Sequence, residues 1–278
     1  MKKKIGLIAW IIVLIAALVG LGFYVFNYIR MNNEGNVHPE VTFTLTSGDQ
    51  VGNVKMELYP EFAPNTVTNF IRLVEKGFYN DKVLYGKDEI CLYLGRNSDG
   101  EAVNPKVSNI DDTVEKDSEA DFEYTIEGEF YNNGFEKNTL SHEKGVVSLL
   151  RNDYTQYIQS LSTESYNSGN AQIAIMMSDN SSTLNGVYAA FGRVTEGMDF
   201  LENLYNNLEV KNLDATGSEI TDETAAEDTS GIDQFNVYPT ITSATVDTHG
   251  VDFGMPEYEK AFDYTTYMNN YFSSRYGG

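Results

Sequence analysis

ELYPEFAPNTVTNFIRLVEKGFYND, residues 57–81, carries the reading on which the fold turns. Pro64 stands where the first residue of a helix needs no N–H, and Val67, Phe70, Ile71 and Val74 recur at i, i+3, i+4 and i+7 to make one apolar face. Lys76 and Gly77 supply the stop signal: a cation for the negative end of the helix, then a residue free to turn left-handed. The stretch predicts a helix packed on a core and entered from a strand that ends near Leu58.

Outward from this helix the pattern is β. Val41, Phe43 and Leu45 alternate with threonines, and Val54 to Leu58 repeats the idea after Ser47-Gly48-Asp49, which predicts an early hairpin. On the other side, KVLYGKDEICLYLG (82–95) reads as two short strands around a charged turn. Short apolar runs follow at 146–150, 172–177 and 187–191, the last after Asn185-Gly186, a dipeptide that predicts a tight hairpin turn. Met198, Leu201, Leu204 and Tyr205 mark a second helix, and residues 241–253 a closing strand. Many short strands with two helices predict a mainly β barrel or sandwich. Residues 98–121 and 152–169 lack a period and read as loop insertions, and residues 211–232 as an acidic surface excursion. The tail, 256–278, is rich in tyrosine and could dock as a helix, contact another protein or fray.

The N-terminus is separate in character. Lys2, Lys3 and Lys4 precede residues 5–26, an apolar run without a charge that is long enough to cross a bilayer. The positive-inside tendency keeps the lysines cytoplasmic, so everything after the anchor is expected outside. Small residues at Ala16-Ala17 keep a cleavable signal peptide open, although its apolar core is usually only about 7–15 residues. Four segments result: tip and transmembrane helix (1–30), tether (31–40), main domain (41–255) and tail. The net charge of −22, with its one basic cluster at the cytoplasmic tip, excludes nucleic acid as a partner. A single cysteine, Cys91, excludes an internal disulfide and reads as a small buried hydrophobe. His38, His142 and His249 are scattered without metal-like spacing, and no Gly-x-Ser-x-Gly elbow marks a nucleophile.

The stretch 57–81 resembles the opening of a cyclophilin domain, in which Leu-Tyr-Pro leads to Ala-Pro-x-Thr-x-x-Asn-Phe and then Gly-Phe-Tyr. YTIEGEF (124–130), LSHEKGVVSLL (140–150), AQIAIMMSD (171–179), LNGVYAAFGRVTEGMDFLENL (184–204) and VDTHGVDFG (246–254) occur in the family's order. The resemblance implies a closed eight-stranded antiparallel barrel with two capping helices. It also implies peptidyl-prolyl cis-trans isomerisation, for which no cofactor is required. Rotation about the prolyl bond faces a barrier of about 18–20 kcal/mol. The family lowers it with an apolar proline pocket and an arginine aimed at the prolyl nitrogen.

The resemblance also places the site, and there the sequence departs from the family. The catalytic arginine falls on Gly86. The pocket phenylalanine and methionine fall on Cys91 and Leu92, and the substrate-contacting glutamine on Leu94. Gln172 keeps a substrate-binding glutamine, while Ala174 replaces an aromatic wall. Leu184 matches a pocket leucine, Tyr188 replaces a histidine, Leu150 an alanine, and Thr183 stands where many members have Trp or Leu. Lys87, Arg96 and Arg151 are the cations able to substitute for the lost arginine, with Arg151 the best placed. The expected function is a membrane-anchored isomerase of weakened activity acting on proline-containing peptides or exported polypeptides. The alternative is a non-catalytic module that holds a peptide or protein. Returning an arginine at residue 86 would separate the two, provided the groove is otherwise intact.

Overall fold

The computed structural model describes residues 37–156, 158–179, 182–211 and 232–276. The expected membrane helix and nearly all of the acidic excursion lie outside these residues. Among the described residues no helix is long and apolar enough to cross a membrane.

The early hairpin forms as β1 (Glu40–Ser47) and β2 (Gln50–Leu58), in register from Glu40 opposite Glu57 to Ser47 opposite Gln50. Helix α1 (Pro64–Glu75) follows, and its stop signal works as the sequence implies. Gly77 takes φ +70°, its N–H reaches Val74 O (2.9 Å), and Phe78 N–H reaches Leu73 O (2.9 Å). That pairing satisfies carbonyls the helix would otherwise leave open.

The chain continues through β3 (Val83–Lys87), β4 (Cys91–Arg96), β5 (Tyr124–Thr125) and β6 (Val146–Leu149). A short helix α2 (Ser162–Tyr166) precedes β7 (Ile173–Met176) and β8 (Ala189–Glu196). Helix α3 (Met198–Asn207), β9 (Asp233–Gln234), β10 (Thr240–Asp247), β11 (Glu259–Lys260) and α4 (Tyr264–Tyr276) complete the described elements. Eight strands close on themselves in the order β10-β1-β2-β8-β6-β7-β4-β3, every pairing antiparallel, and β3 returns to β10. The seam is held by Leu84 N–H to Pro239 O (2.9 Å) and Ile241 N–H to Lys82 O (2.8 Å). β3 meets β10 at Val83 opposite Thr240, and β9 pairs with the rest of its edge at Gly86 and Lys87.

The barrel interior is aromatic at its centre. Phe70 of α1 packs edge-on against Tyr79 and Phe191, each at 5.1 Å, and lies 6.0 Å from Phe43. α3 buries Leu201 and Leu204, and Phe200 lies so close over Gly52 that a Cβ there would collide with its ring. α1 follows the end of β2 and α3 packs against its beginning, so the two helices serve opposite ends of that strand.

The polar residues of the 57–81 motif tie α1 to distant segments. Tyr124 Oη donates to Asn69 Oδ1 (2.6 Å), Asn69 Nδ2 donates to Asn170 O (2.5 Å), and Tyr79 Oη donates to Ala171 O (2.7 Å). Glu129 accepts from Asn65 N–H (2.9 Å), Thr66 N–H (2.7 Å) and Thr66 Oγ1 (2.7 Å), capping α1 from another loop. Glu129→Ala is expected to cost about 0.5–2 kcal/mol, the range for losing a helix cap. Burial raises the Glu129 pKa, against the hydrogen bonds from Thr66 and Asn65 that lower it. A raised folded-state pKa stabilises most below the unfolded value, and that contribution fades as pH rises through the folded one. Denaturant unfolding across mild acid to neutral pH should therefore show the wild-type advantage over Glu129→Ala shrinking with pH.

Two sequence readings change, and the tail, open between several forms in the sequence, becomes helical. Asn185-Gly186 does not join a hairpin: it follows a 3-10 turn that ends at Leu184, and β7 and β8 are separated in the sheet by β6. Residues 152–169 contain α2, and residues 98–121 bury Val107 and Ile110 in the core. The tail forms β11, which pairs with β5, and then α4.

Candidate active site

A second apolar cluster lies apart from the main core and gathers Cys91, Val146, Ala174, Met176 and Ala190. Above it a pocket of about 70 Å³ is bounded by Ile90, Cys91, Leu150, Ala174, Leu184 and Tyr188. Since one liquid water occupies about 30 Å³, this is space for a small ring rather than a large side chain. Tyr93 and Asp88 stand at its rim, where Tyr93 Oη donates to Asp88 Oδ2 (2.7 Å). Asp88 also accepts from the backbone of Ile90 (2.8 Å) and Cys91 (2.6 Å), which fixes the turn between β3 and β4. Burial pushes the Cys91 thiol up to about 12, so it packs as a neutral hydrophobe rather than a nucleophile. Behind the pocket, Ser148 is bonded to buried His142, whose other ring nitrogen meets Asn185 Oδ1, both at 3.0 Å. Burial lowers the His142 pKa, so the ring is neutral at pH 7 and holds the segment carrying Leu184.

A groove of about 310 Å³ adjoins this pocket and shares Tyr93, Leu150 and Tyr188 with it. Its walls bring together two arginines from distant segments. Arg96, at the end of β4, lies over the Tyr85 ring (4.0 Å) and donates to Gln172 Oε1 (3.4 Å) and Gly100 O (3.3 Å). Arg151 follows β6 and faces Tyr188 (4.8 Å), Tyr166 (5.1 Å) and Phe130 (5.8 Å). Its Nε donates to Val187 O (3.1 Å) and its Nη1 to Asn152 O (3.4 Å). Among the described residues neither arginine has a carboxylate within ion-pair distance.

Residues 42–226, more than half of the chain, match the family described as cyclophilin type peptidyl-prolyl cis-trans isomerase/CLD. This chain belongs to the cyclophilin family. It is 27% identical to peptidyl-prolyl cis-trans isomerase B of Bacillus subtilis over 175 residues, 63% of this chain and 96% of that one. It is 26% identical to a probable peptidyl-prolyl cis-trans isomerase of Brucella suis over 71% of this chain and 88% of the other. A cyclophilin type isomerase from Cryptosporidium parvum superposes with a TM-score of 0.49 at 16% identity, covering 76% of this chain and 98% of that structure.

Within this cyclophilin the sequence-derived site divides. Cys91, Leu150, Ala174, Leu184 and Tyr188 line the apolar pocket, and Arg151 and Gln172 line the groove. Leu92 and Leu94 do not reach either: both are fully buried in the barrel core. Side chains alternate along β4, so Cys91 and Tyr93 face outward while the leucines face in. The pairing of β3 with β4 slips twice, between Val83 and Leu84 and between Leu84 and Gly86, which makes counting along the sequence unreliable there. Lys87 also points elsewhere: its ammonium donates to Tyr205 O (2.5 Å) and lies over the Tyr205 ring on α3.

Gly86 is covered by another strand. β9 pairs with Gly86 and Lys87, and a Cβ on Gly86 would stand 2.6 Å from Asp233 O and 3.0 Å from Ile232 Cγ2. Sequence reasoning missed Tyr85 and Tyr93, which stack at 6.0 Å and 27° along the groove wall, and Asn104 and Asn170 beside them. The alternation Cys-Leu-Tyr-Leu was the available signal for Tyr93. Nothing local marks the asparagines. His249 gathers with Glu40 and Asp247 within 4.8 Å, where Lys55 Nζ already pairs with Glu40 at 2.9 Å.

Proposed function

We propose that this cyclophilin isomerises X-Pro bonds in exported polypeptides, at a rate below that of its family, and that residues 5–26 hold it at the membrane with residues 41–255 outside the cytoplasm. The observation that carries the catalytic part is the groove framed by Arg151 and Arg96, opening beside an apolar pocket of ring size. The proline ring enters the pocket over Ala174 and Leu184, and the peptide backbone runs past Gln172. Arg151, which faces the shared Tyr188, directs N–H donors toward the twisting bond. As that bond loses its resonance the prolyl nitrogen regains a lone pair, so a donor fixed there binds the rotated state better than either planar one. No nucleophile is required.

A second reading has its own observation. With Gly86 closed under Asp233 O, no side chain at the family's catalytic position reaches the groove, which favours a module that holds proline-containing peptides without turning them over. Titrating an Ala-Pro peptide into the full chain tests the groove common to both. Amide shifts are expected at Leu150, Ala174, Leu184 and Tyr188. Shifts confined to other surfaces would rule out both readings.

A further inference from the structure

We infer that the groove selects peptides bearing a carboxylate side chain close to the proline, and that Arg96 is the residue that takes it. The inference rests on the groove being the peptide site. Its support lies in a reversal of charge: the chain carries −22, yet the described residues lining the groove include two arginines and no aspartate or glutamate. Asn104, Asn170, Gln172 and Ser168 supply further polar groups there. Glu123 accepts from Asn104 Nδ2 (3.0 Å) but does not line the groove.

Arg96 is prepared for an anion. Its guanidinium is stacked on Tyr85, so little side-chain freedom remains to be lost on binding. Among the described residues two of its five N–H groups are engaged, both by neutral acceptors at 3.3–3.4 Å, which leaves the others to meet a bidentate carboxylate. The rest of this acidic surface repels anionic peptides, so long-range charge acts against the predicted preference.

The test uses the full chain and two matched sets of short Ala-Pro peptides, with one Glu or one Gln scanned from three residues before the proline to two after it. At one or two positions the Glu peptide is expected to bind about tenfold more tightly than its Gln partner, the scale of one charge-assisted hydrogen-bonded pair. Arg96→Gln should erase the preference, and Arg96→Lys, which keeps the charge but not the fork, should keep part of it. Equal binding of both sets at every position, with shifts still in the groove, overturns the carboxylate preference and leaves the peptide site standing. A preference that survives in Arg96→Gln overturns the role of Arg96. Failure of both sets to bind overturns the peptide site itself.

Discussion

Arg151→Ala is expected to lower catalysed cis-trans exchange by about 10²- to 10³-fold, the loss typical of removing one preorganised donor. Its guanidinium is anchored at Nε by Val187 O and held among Tyr188, Tyr166 and Phe130, so its remaining N–H groups keep a fixed direction without the substrate. Such a donor acts on charge that develops only in the rotated state, so the loss should fall on turnover more than on binding. Peptide-induced shifts should persist in the variant. Arg151→Lys retains a charge without the planar fork and should recover only part of the rate. Exchange by Arg151→Ala at the wild-type rate would remove Arg151 from the mechanism.

Gly86→Arg is expected to destabilise the barrel and to yield no gain in exchange. A Cβ on Gly86 meets the backbone carbonyl of Asp233 at 2.6 Å, and backbone yields less readily than the end of a flexible side chain. Gly86→Ala should already cost about 1–3 kcal/mol by overpacking, and arginine more, because its chain must displace β9 from the β3 edge. Denaturant unfolding of both variants checks the order. A Gly86→Arg protein with wild-type stability and faster exchange would show that β9 yields and that the family's arrangement can be restored by one residue.

Much of the fold was legible because its signals are local. Pro64, the Val67-Phe70-Ile71-Val74 stripe and Gly77 specify α1 within fourteen residues, and the structure realises each of them. α3 was legible for the same reason, as was the closing strand up to Asp247, although the alternation that suggested strand to residue 253 runs on past its end. What escaped depends on partners far along the chain. Which β4 position takes which family role was obscured by two slips in the β3–β4 pairing, although the alternation of β4 itself turns Leu92 and Leu94 inward. The closure over Gly86 comes from a strand nearly 150 residues later in the sequence. Arg96 meets Gln172 only because β4 pairs with β7, and an isolated arginine at a strand end reads as a surface charge.

The exchange rate itself tests the central claim most directly. NMR exchange between cis and trans signals of an Ala-Pro peptide, with the full chain beside an ordinary cyclophilin, should show catalysis within about a hundredfold of the control, the loss expected for one displaced donor. Exchange no faster than in peptide alone, with the peptide bound in the groove, would contradict it and leave a cyclophilin that holds proline without turning it.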